Sequence, residues 1–280
     1  MPYHTPLAPP PALCYGRAMA RHDPYGPLRA SDIREGDYRE LRDGHAVACQ
    51  PAGKRHSDGN HVGARVLATD PAVCEKDLVV GIDTGIAFNE GRNLRAPDIS
   101  VGLEDREPGW AHTLPPLAVE YADRGTDEAD LTAKIGELLG AGTRLVWVVR
   151  LVGPLRVEVH AVGEPMRVVD GDGVLTAPDV LRNPVPVRAL VDPRAANAAT
   201  LRNLLQLQGY NDLDDFRDKI RDVALCEATA GALVTFLTDR GLPMSAEEAA
   251  AISGCTDHAT LQRWLHRAVR VTSVAELFAD

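Results

Sequence analysis

The chain has 280 residues, of which 45% are hydrophobic and 25% are charged, and its formal net charge at pH 7 is -10. This composition is ordinary for a globular protein, and the length suits one larger domain with a smaller one. The negative charge excludes a protein that attracts nucleic acid by its overall field, and 5% aromatic content disfavours a single-strand binder built on stacked bases.

The first segment, residues 1–28, is crowded with prolines. Successive prolines do not support a helix or an inner strand, so we predict an extended or disordered N-terminal arm. A plain tail and a docking peptide for a partner are the two alternatives.

The five cysteines are odd in number and widely spaced, without a Cys-x-x-Cys pair. This pattern disfavours both a disulfide framework and a cysteine metal cluster. The N-terminus lacks the charged and apolar regions of a secretory signal, and no apolar run is long enough to span a membrane. We therefore predict a cytoplasmic protein with no membrane partner.

Residues 29–191 alternate between strand-like and helix-like patterns, which is typical of an α/β sandwich with a mixed sheet. The dipeptide Asp43-Gly44 predicts a hairpin within residues 38–47. Helices are predicted at residues 56–69 and, after an acidic first turn, from Thr126 to about Gly140. Further strands are predicted at residues 78–87, 96–103, 117–121, 145–149 and 156–162.

From residue 192 to 280 the strand patterns vanish and leucines recur at helical spacing. Ser245 and Glu248 have the spacing of a capping box at a helix start. The last helix carries arginines that would suit phosphate contacts in a helix-turn-helix, at positions Arg263, Arg267 and Arg270. Because acidic residues outnumber basic ones in this region, we favour a helical docking or dimerisation appendage, and hence a homodimer, over a DNA reader.

Two acidic residues and one lysine form the most informative pattern. Asp98 and Glu120 end or occupy strand-like runs, and Lys134 lies at the edge of the apolar stripe of the following helix. Two carboxylates from separate strands suit a divalent cation, which activates water beside a phosphate. The alternative is that Asp98 belongs to a turn, Glu120 is a strand-end charge and Lys134 faces solvent.

The ordered set of motifs from about Leu28 to Val191 resembles the Uma-two family of endonucleases, a branch of the PD-(D/E)xK superfamily. The similarity rests on the Asp43-Gly44 turn, the His56 segment, Asn93-Leu94-Arg95-Ala96-Pro97-Asp98, the strand with Glu120, the helix with Asp130 and Lys134, and the strand with Trp147. The resemblance implies a restriction endonuclease-like mixed sheet flanked by helices. It also implies catalysis by Asp98, Glu120 and Lys134 with Mg²⁺ or Mn²⁺ bound to the two carboxylates.

The chain departs from the superfamily pattern at the lysine. That residue usually lies two positions after the glutamate, where this chain has Ala122. The resemblance implies that Lys134 replaces it from the following helix. We also expect the carbonyl of Tyr121 as a further oxygen ligand of the metal.

Three further residues are weaker candidates. His56 would bind a phosphate or orient nucleic acid, or it is an ordinary residue of a helix N-terminus. Arg95 would contact a phosphate through two N–H groups, or it forms an ion pair with a nearby carboxylate. Asp58 would be an extra acid on the first helix.

The predicted function is a metal-dependent endonuclease with DNA as its substrate. The acidic net charge predicts weak and strongly salt-dependent binding, offset by bound metal or a local basic rim. The alternative is a non-catalytic interaction protein on the same fold that works through its helical tail.

Overall fold

The computed structural model describes residues 27–49, 51–104 and 106–279 of the chain. The predicted N-terminal arm, apart from its last two residues, lies outside the described residues, as does Cys14. None of the helices in the described ranges is both long enough and apolar enough to cross a membrane.

The centre of the fold is a six-stranded mixed sheet. Its strands follow the order β10-β9-β8-β7-β6-β3, and only the central pair β7-β8 is parallel. The strand bounds are β3 (Val79–Ile82), β6 (Ile99–Leu103), β7 (Leu117–Ala122), β8 (Leu145–Arg150), β9 (Arg156–Ala161) and β10 (Arg167–Asp170). A parallel pair needs a crossover, and helix α3 (Glu128–Ala141) provides it between β7 and β8.

A second sheet of four strands lies beside the first, in the order β2-β1-β5-β4. Its bounds are β1 (Arg39–Arg42), β2 (His45–Ala48), β4 (Ile86–Phe88) and β5 (Asn93–Arg95). The predicted hairpin is present: Asp43 and Gly44 both have positive φ, at 48° and 79°, as a two-residue turn requires. A small sheet pairs β11 (Val174–Leu175) with β12 (Val185–Pro186).

Two predicted strands differ from the observed ones near the place where the two sheets meet. The run at residues 78–87 breaks at Asp83, whose φ of 50° is left-handed, so β3 and β4 join different sheets. The run at residues 96–103 begins later than predicted, because Pro97 and Asp98 separate β5 from β6. Asp98 therefore lies at the point where the chain passes from one sheet to the other.

Helices cover both faces of the central sheet. Helix α1 (Lys54–Ala68) packs Val62, Val66 and Leu67 in the main core, which also contains Val119, Tyr121 and Trp147. Helix α3 packs on the opposite face, in a core with the alternate strand residues Ala118, Ala122, Val146 and Val148. Because strand side chains alternate between faces, Glu120 points to the α3 side, and Tyr121 points to the α1 side.

Helix α1 approaches the sheet closely through two glycines. A Cβ atom at Gly59 would lie 2.7 Å from Cε1 of Tyr121, and one at Gly63 would collide with the Tyr121 hydroxyl. The absent side chains let α1 lie directly on β7. This approach sets the depth at which His56, one turn earlier, meets the sheet.

The C-terminal region is helical, as predicted. Its helices are α4 (Pro193–Leu207), α5 (Leu213–Asp239), α6 (Ala246–Ser253) and α7 (His258–Ala268). The remaining helix, α2 (Pro71–Glu75), is short and lies in the sheet unit directly after α1. The capping box of Ser245 and Glu248 is present at the start of α6. The second half of α5 forms a separate apolar core with α6 and α7, which includes Leu233, Leu237, Ile252 and Leu261.

Helix α4 does not belong to that second core. Ala196 and Ala199 are buried in the main core, and Asn203 Nδ2 donates to the carbonyl of Val66 in α1 at 3.2 Å. A domain boundary at residue 192 stays a prediction, but the first helix beyond it packs with the sheet unit. The transition between the two cores falls within α5.

Candidate active site

Asp98 and Glu120 lie opposite each other at the junction of β6 and β7. The antiparallel register pairs Ile99 with Val119, so one step further it places Asp98 opposite Glu120. Directly opposed residues of an antiparallel pair point to the same face. Both residues are largely buried, with 8% and 6% of their surface exposed, and both line one cleft.

The Asp98 carboxylate is fixed by two contacts. Its Oδ2 accepts a hydrogen bond of 2.6 Å from the Tyr121 backbone N–H, and its Oδ1 lies 2.8 Å from Nε2 of His56. The hydrogen bond to Asp98 raises the pKa of His56, although burial opposes the shift. His56, predicted to bind phosphate, thus directs Nε2 to a carboxylate.

Lys134 meets this pair from helix α3. Its Nζ lies 2.9 Å from Oε1 of Glu120 and 3.3 Å from Oε1 of Glu40, and it donates to the Ala96 carbonyl at 2.7 Å. The ammonium therefore has two carboxylate ion-pair partners and one carbonyl hydrogen-bond acceptor. The spatial expectation for Lys134 is met: its ammonium approaches the cavity that holds both carboxylates.

Burial and charge shift the ionisation of this group. Burial raises the pKa of the Glu120 carboxyl to about 8; the charge of Asp98 adds to the shift and the Lys134 ammonium opposes it. Burial alone would lower the pKa of Lys134, but the surrounding carboxylates outweigh burial and raise it. The two groups are coupled, because an ionised Glu120 stabilises the Lys134 ammonium and the ammonium favours the ionised form of Glu120 against burial.

Arg95 has a different role from phosphate contact. Its side chain is fully buried, and it forms ion pairs with Glu40, Asp130 and Glu137. The ion-pair alternative therefore describes this arginine, because a guanidinium without solvent access does not reach a phosphate in the cleft.

Glu40 is a site residue that the sequence did not indicate. It is 7% exposed, and its Oε1 faces Lys134 while accepting from the Ala96 N–H at 3.0 Å. In sequence it reads as one polar position of a short strand before a turn, which carries no chemical signal. Its position becomes evident only when the two sheets are placed together.

The site opens into a cleft of about 1130 Å³. Acidic side chains predominate among the charged residues on its walls, which also include Arg39 and Arg124. Arg55, also on the wall, is paired with Asp123, with Nε 3.0 Å from Oδ2. Asp58 lines a smaller, separate cavity, whereas Glu40 and Asp83 both line the cleft. Burial and the charge of Asp98 raise the pKa of Asp83, so the extra acids near the site are Glu40 and Asp83 rather than Asp58.

The two carboxylates have the donor chemistry for a hard cation. Within the described ranges no group of three or more His, Cys, Asp or Glu side chains is arranged to hold a metal ion. Mg²⁺, however, keeps several waters and commonly uses one or two carboxylates. Each Asp98 oxygen has one contact and therefore keeps a second lone pair, so Asp98 and Glu120 fit such a cation.

A mixed sheet with helices on both faces, with one acidic residue on a central strand and another directly before the neighbouring strand, defines the restriction endonuclease-like fold class. The chain belongs to the Uma2 family, described as "Putative restriction endonuclease", whose sequence profile matches residues 28–188. This identifies the chain at the level of its family and places the helices from α4 onward outside the matched region.

A solved structure supports the fold. It is a crystal structure titled as a "putative nuclease belonging to DUF820" from Anabaena variabilis, with a TM-score of 0.50 and 16% sequence identity. The match covers 61% of this chain and 99% of that one. Among curated proteins, no relative matches the chain.

Proposed function

We propose that the chain is a metal-dependent endonuclease that hydrolyses phosphodiester bonds of DNA with Mg²⁺ or Mn²⁺. The observation that carries this proposal is the meeting of Lys134 with Glu120 at 2.9 Å, in the cleft that Asp98 also lines. Glu120 comes from β7, Asp98 from the link that leads into β6, and Lys134 from the crossover helix. Membership of the Uma2 family supports the same activity.

The two acids would hold the metal. When bound, a divalent cation supplies Lewis acidity toward the phosphate and lowers the pKa of a water molecule. Asp98 is held in position by His56 and the Tyr121 N–H, so His56 orients a carboxylate in this scheme. Glu120 must lose its proton to bind a cation, and its raised pKa makes that loss pH-dependent.

Lys134 would stabilise negative charge on the phosphate. Its ammonium is buried among carboxylates, where solvent screens it less than at a surface. A fixed cation that faces the developing charge contributes more in the transition state than in the ground state. Lys134 thus takes the part that the superfamily usually gives to a lysine at the position of Ala122.

The cleft supplies two contacts for the polyanion. Arg39 on β1 and Arg124 in the loop after β7 both line the cleft, so each is placed to contact a phosphate. The charge of Arg124 also acts on the neighbouring Asp123. The net charge of -10 weakens binding at long range. We therefore expect low affinity that depends steeply on salt.

A cleavage assay tests the function. Purified protein is incubated with plasmid and single-stranded DNA in Mg²⁺, in Mn²⁺ and in EDTA, beside Lys134→Ala and the matched surface variant Lys219→Ala. Lys219 pairs with Asp215 on exposed helix α5. Metal-dependent cleavage by the wild type and Lys219→Ala, but not by Lys134→Ala, is expected. Equal cleavage by all three proteins would assign the activity to a contaminant.

The second candidate is a non-catalytic interaction protein. Ile220 and Val223 on α5 are 51% and 54% exposed, and exposed apolar side chains on a helix favour a protein partner. Capture of a partner that is lost in Ile220→Asp, together with no Mn²⁺ binding by calorimetry, would favour this function over catalysis.

A further inference from the structure

Arg95 connects two parts of the fold through buried ion pairs. Its Nη1 donates to Oε2 of Glu40 at 2.8 Å, and its Nε donates to Oε2 of Glu137 at 2.8 Å. Its Nη2 donates to Oδ1 of Asp130 at 3.2 Å and to Oε1 of Glu137 at 3.2 Å. We call Arg95, Glu40, Asp130 and Glu137 the Arg95 cluster.

The Arg95 cluster includes two residues on the face of α3 that carries Lys134. Asp130, Lys134 and Glu137 are spaced by four and three residues, so they lie on one face of the helix. A single guanidinium on β5 therefore contacts α3 one turn before and one turn after Lys134. A planar guanidinium with five N–H donors suits this task, since it bonds several carboxylates in fixed directions.

Glu40 links the cluster to the lysine itself. Its Oε2 accepts from Arg95, and its Oε1 accepts from the Ala96 N–H and faces Lys134 Nζ at 3.3 Å. The Ala96 carbonyl accepts from the same Nζ at 2.7 Å. Lys134 is thus held on one side by Glu40 and the Ala96 peptide, and on the other side by Glu120.

We propose that Glu40 and Arg95 are positioning residues that place the Lys134 ammonium beside Glu120 for phosphodiester hydrolysis. The inference rests on the proposed function. A long lysine side chain on a helix has many rotamers, and ordering it costs free energy. Here the acidic residue that fixes it belongs to the other sheet, which explains how a lysine from the crossover helix serves in place of one on β7.

The test compares Glu40→Gln with the matched control Glu128→Gln. Gln keeps the size of the side chain and an oxygen acceptor but removes the charge. Glu128 is exposed and lies on α3, the helix that carries Lys134. It pairs with Arg150 instead of Arg95. We expect Glu40→Gln to lower kcat by about 10–100-fold with unchanged KM and Mn²⁺ affinity, and Glu128→Gln to behave as wild type.

A second measurement does not depend on activity. The chain has four lysines, Lys54, Lys76, Lys134 and Lys219, so acetylation followed by mass spectrometry reports Lys134 against three internal references. Lys134 should acetylate about fivefold faster in Glu40→Gln, since loss of its contact lets the side chain reach solvent. The reference lysines should keep their rates.

A double-variant experiment separates positioning from a general loss of structure. If Glu40 acts through Lys134, Glu40→Gln has no further effect on the residual rate of Lys134→Ala. Asp130→Asn is the substitute should Glu40→Gln fail to fold. Additive losses, or a folded Glu40→Gln with wild-type kcat and Lys134 protection, would overturn the inference. No cleavage by the wild type, with faster Lys134 acetylation in Glu40→Gln, would refute the nuclease function while leaving the positioning contact intact.

Discussion

Nζ of Lys134 lies 2.9 Å from Oε1 of Glu120, although the two residues belong to different elements. Ala122, two residues after Glu120 on the same strand, occupies the place where the superfamily pattern has a lysine, and it is buried in the core under α3. The helix that packs on this alanine delivers the lysine. The Lys134 ammonium thus approaches Glu120 from the helix that covers the sheet, whereas the usual lysine of the superfamily lies on the same strand as the glutamate.

Replacing Lys134 by Ala should separate catalysis from metal binding. Loss of one preorganised donor typically lowers kcat by about 10²–10³, and we expect a loss in this range. Mn²⁺ affinity should stay the same or rise, because the ammonium no longer competes with the metal for Glu120. Calorimetry beside single-turnover cleavage checks both effects, and loss of Mn²⁺ binding would show that Lys134 has a structural role instead.

The meeting of Asp98, Glu120 and Lys134 in one cleft could be predicted because their chemistry is visible along the chain. Asp98 and Glu120 follow or occupy apolar runs, and Lys134 lies beside an apolar helical stripe. Glu40 could not be predicted, since its relation to Lys134 depends on how the second sheet packs against α3. For Arg95, sequence left phosphate and ion pair as equal alternatives, and only burial decided between them.

The elements of the fold could be predicted better than their grouping. Helices α1 and α3, the hairpin and the central strands follow from periodicity and turn residues. The split of residues 78–87 between two sheets depends on the left-handed backbone conformation of Asp83. A residue other than glycine seldom adopts this conformation. The packing of helix α4 on the sheet unit cannot be predicted from the sequence, because its small core residues, Ala196 and Ala199, give a weak apolar pattern.

Mn²⁺ affinity should increase with pH. The pKa of Glu120 is raised to about 8, so a proton occupies the carboxylate below that pH and competes with the metal. One competing proton predicts about a tenfold gain in affinity per pH unit from pH 6 to about 8, and then a plateau. Calorimetry at four pH values measures the slope, and an affinity independent of pH would contradict the buried-acid site.

The salt dependence of DNA binding should identify the cleft arginines. Arg39→Ala and Arg124→Ala each remove one phosphate contact, so each should reduce the slope of log K against log salt by about 1. Arg167→Ala on β10 is the control, since it is exposed and distant from the cleft lining. Fluorescence anisotropy in EDTA, at salt concentrations from about 50 to 200 mM, measures the slope of log K against log salt for each variant. A control slope that falls as far as the others would refute this assignment.

The close approach of α1 to β7 should make Gly59 intolerant of a methyl group. In Gly59→Ala the new Cβ would lie 2.7 Å from the Tyr121 ring, and overpacking of this kind costs about 1–3 kcal/mol. Gly136→Ala on α3 has nothing within 4 Å and should be neutral or stabilise by up to about 1 kcal/mol. Urea unfolding measures both changes, and equal stability of the two variants would place α1 further from the sheet.

The packing of α4 predicts where the helical tail can be removed. Ending the chain at residue 211 keeps α4, whose Ala196 and Ala199 lie in the main core. Ending it at residue 192 removes them together with Asn203, which donates to Val66 and Thr69 of the α1 end at 3.2 and 3.3 Å. Loss of this apolar burial and of two hydrogen bonds should cost about 3 kcal/mol.

The longer fragment should therefore unfold cooperatively in urea and keep its Mn²⁺ affinity, while the shorter one should unfold at a lower urea concentration or aggregate. Equal midpoints for the two fragments would mean that α4 does not stabilise the sheet unit and that residue 192 is the true boundary of that unit.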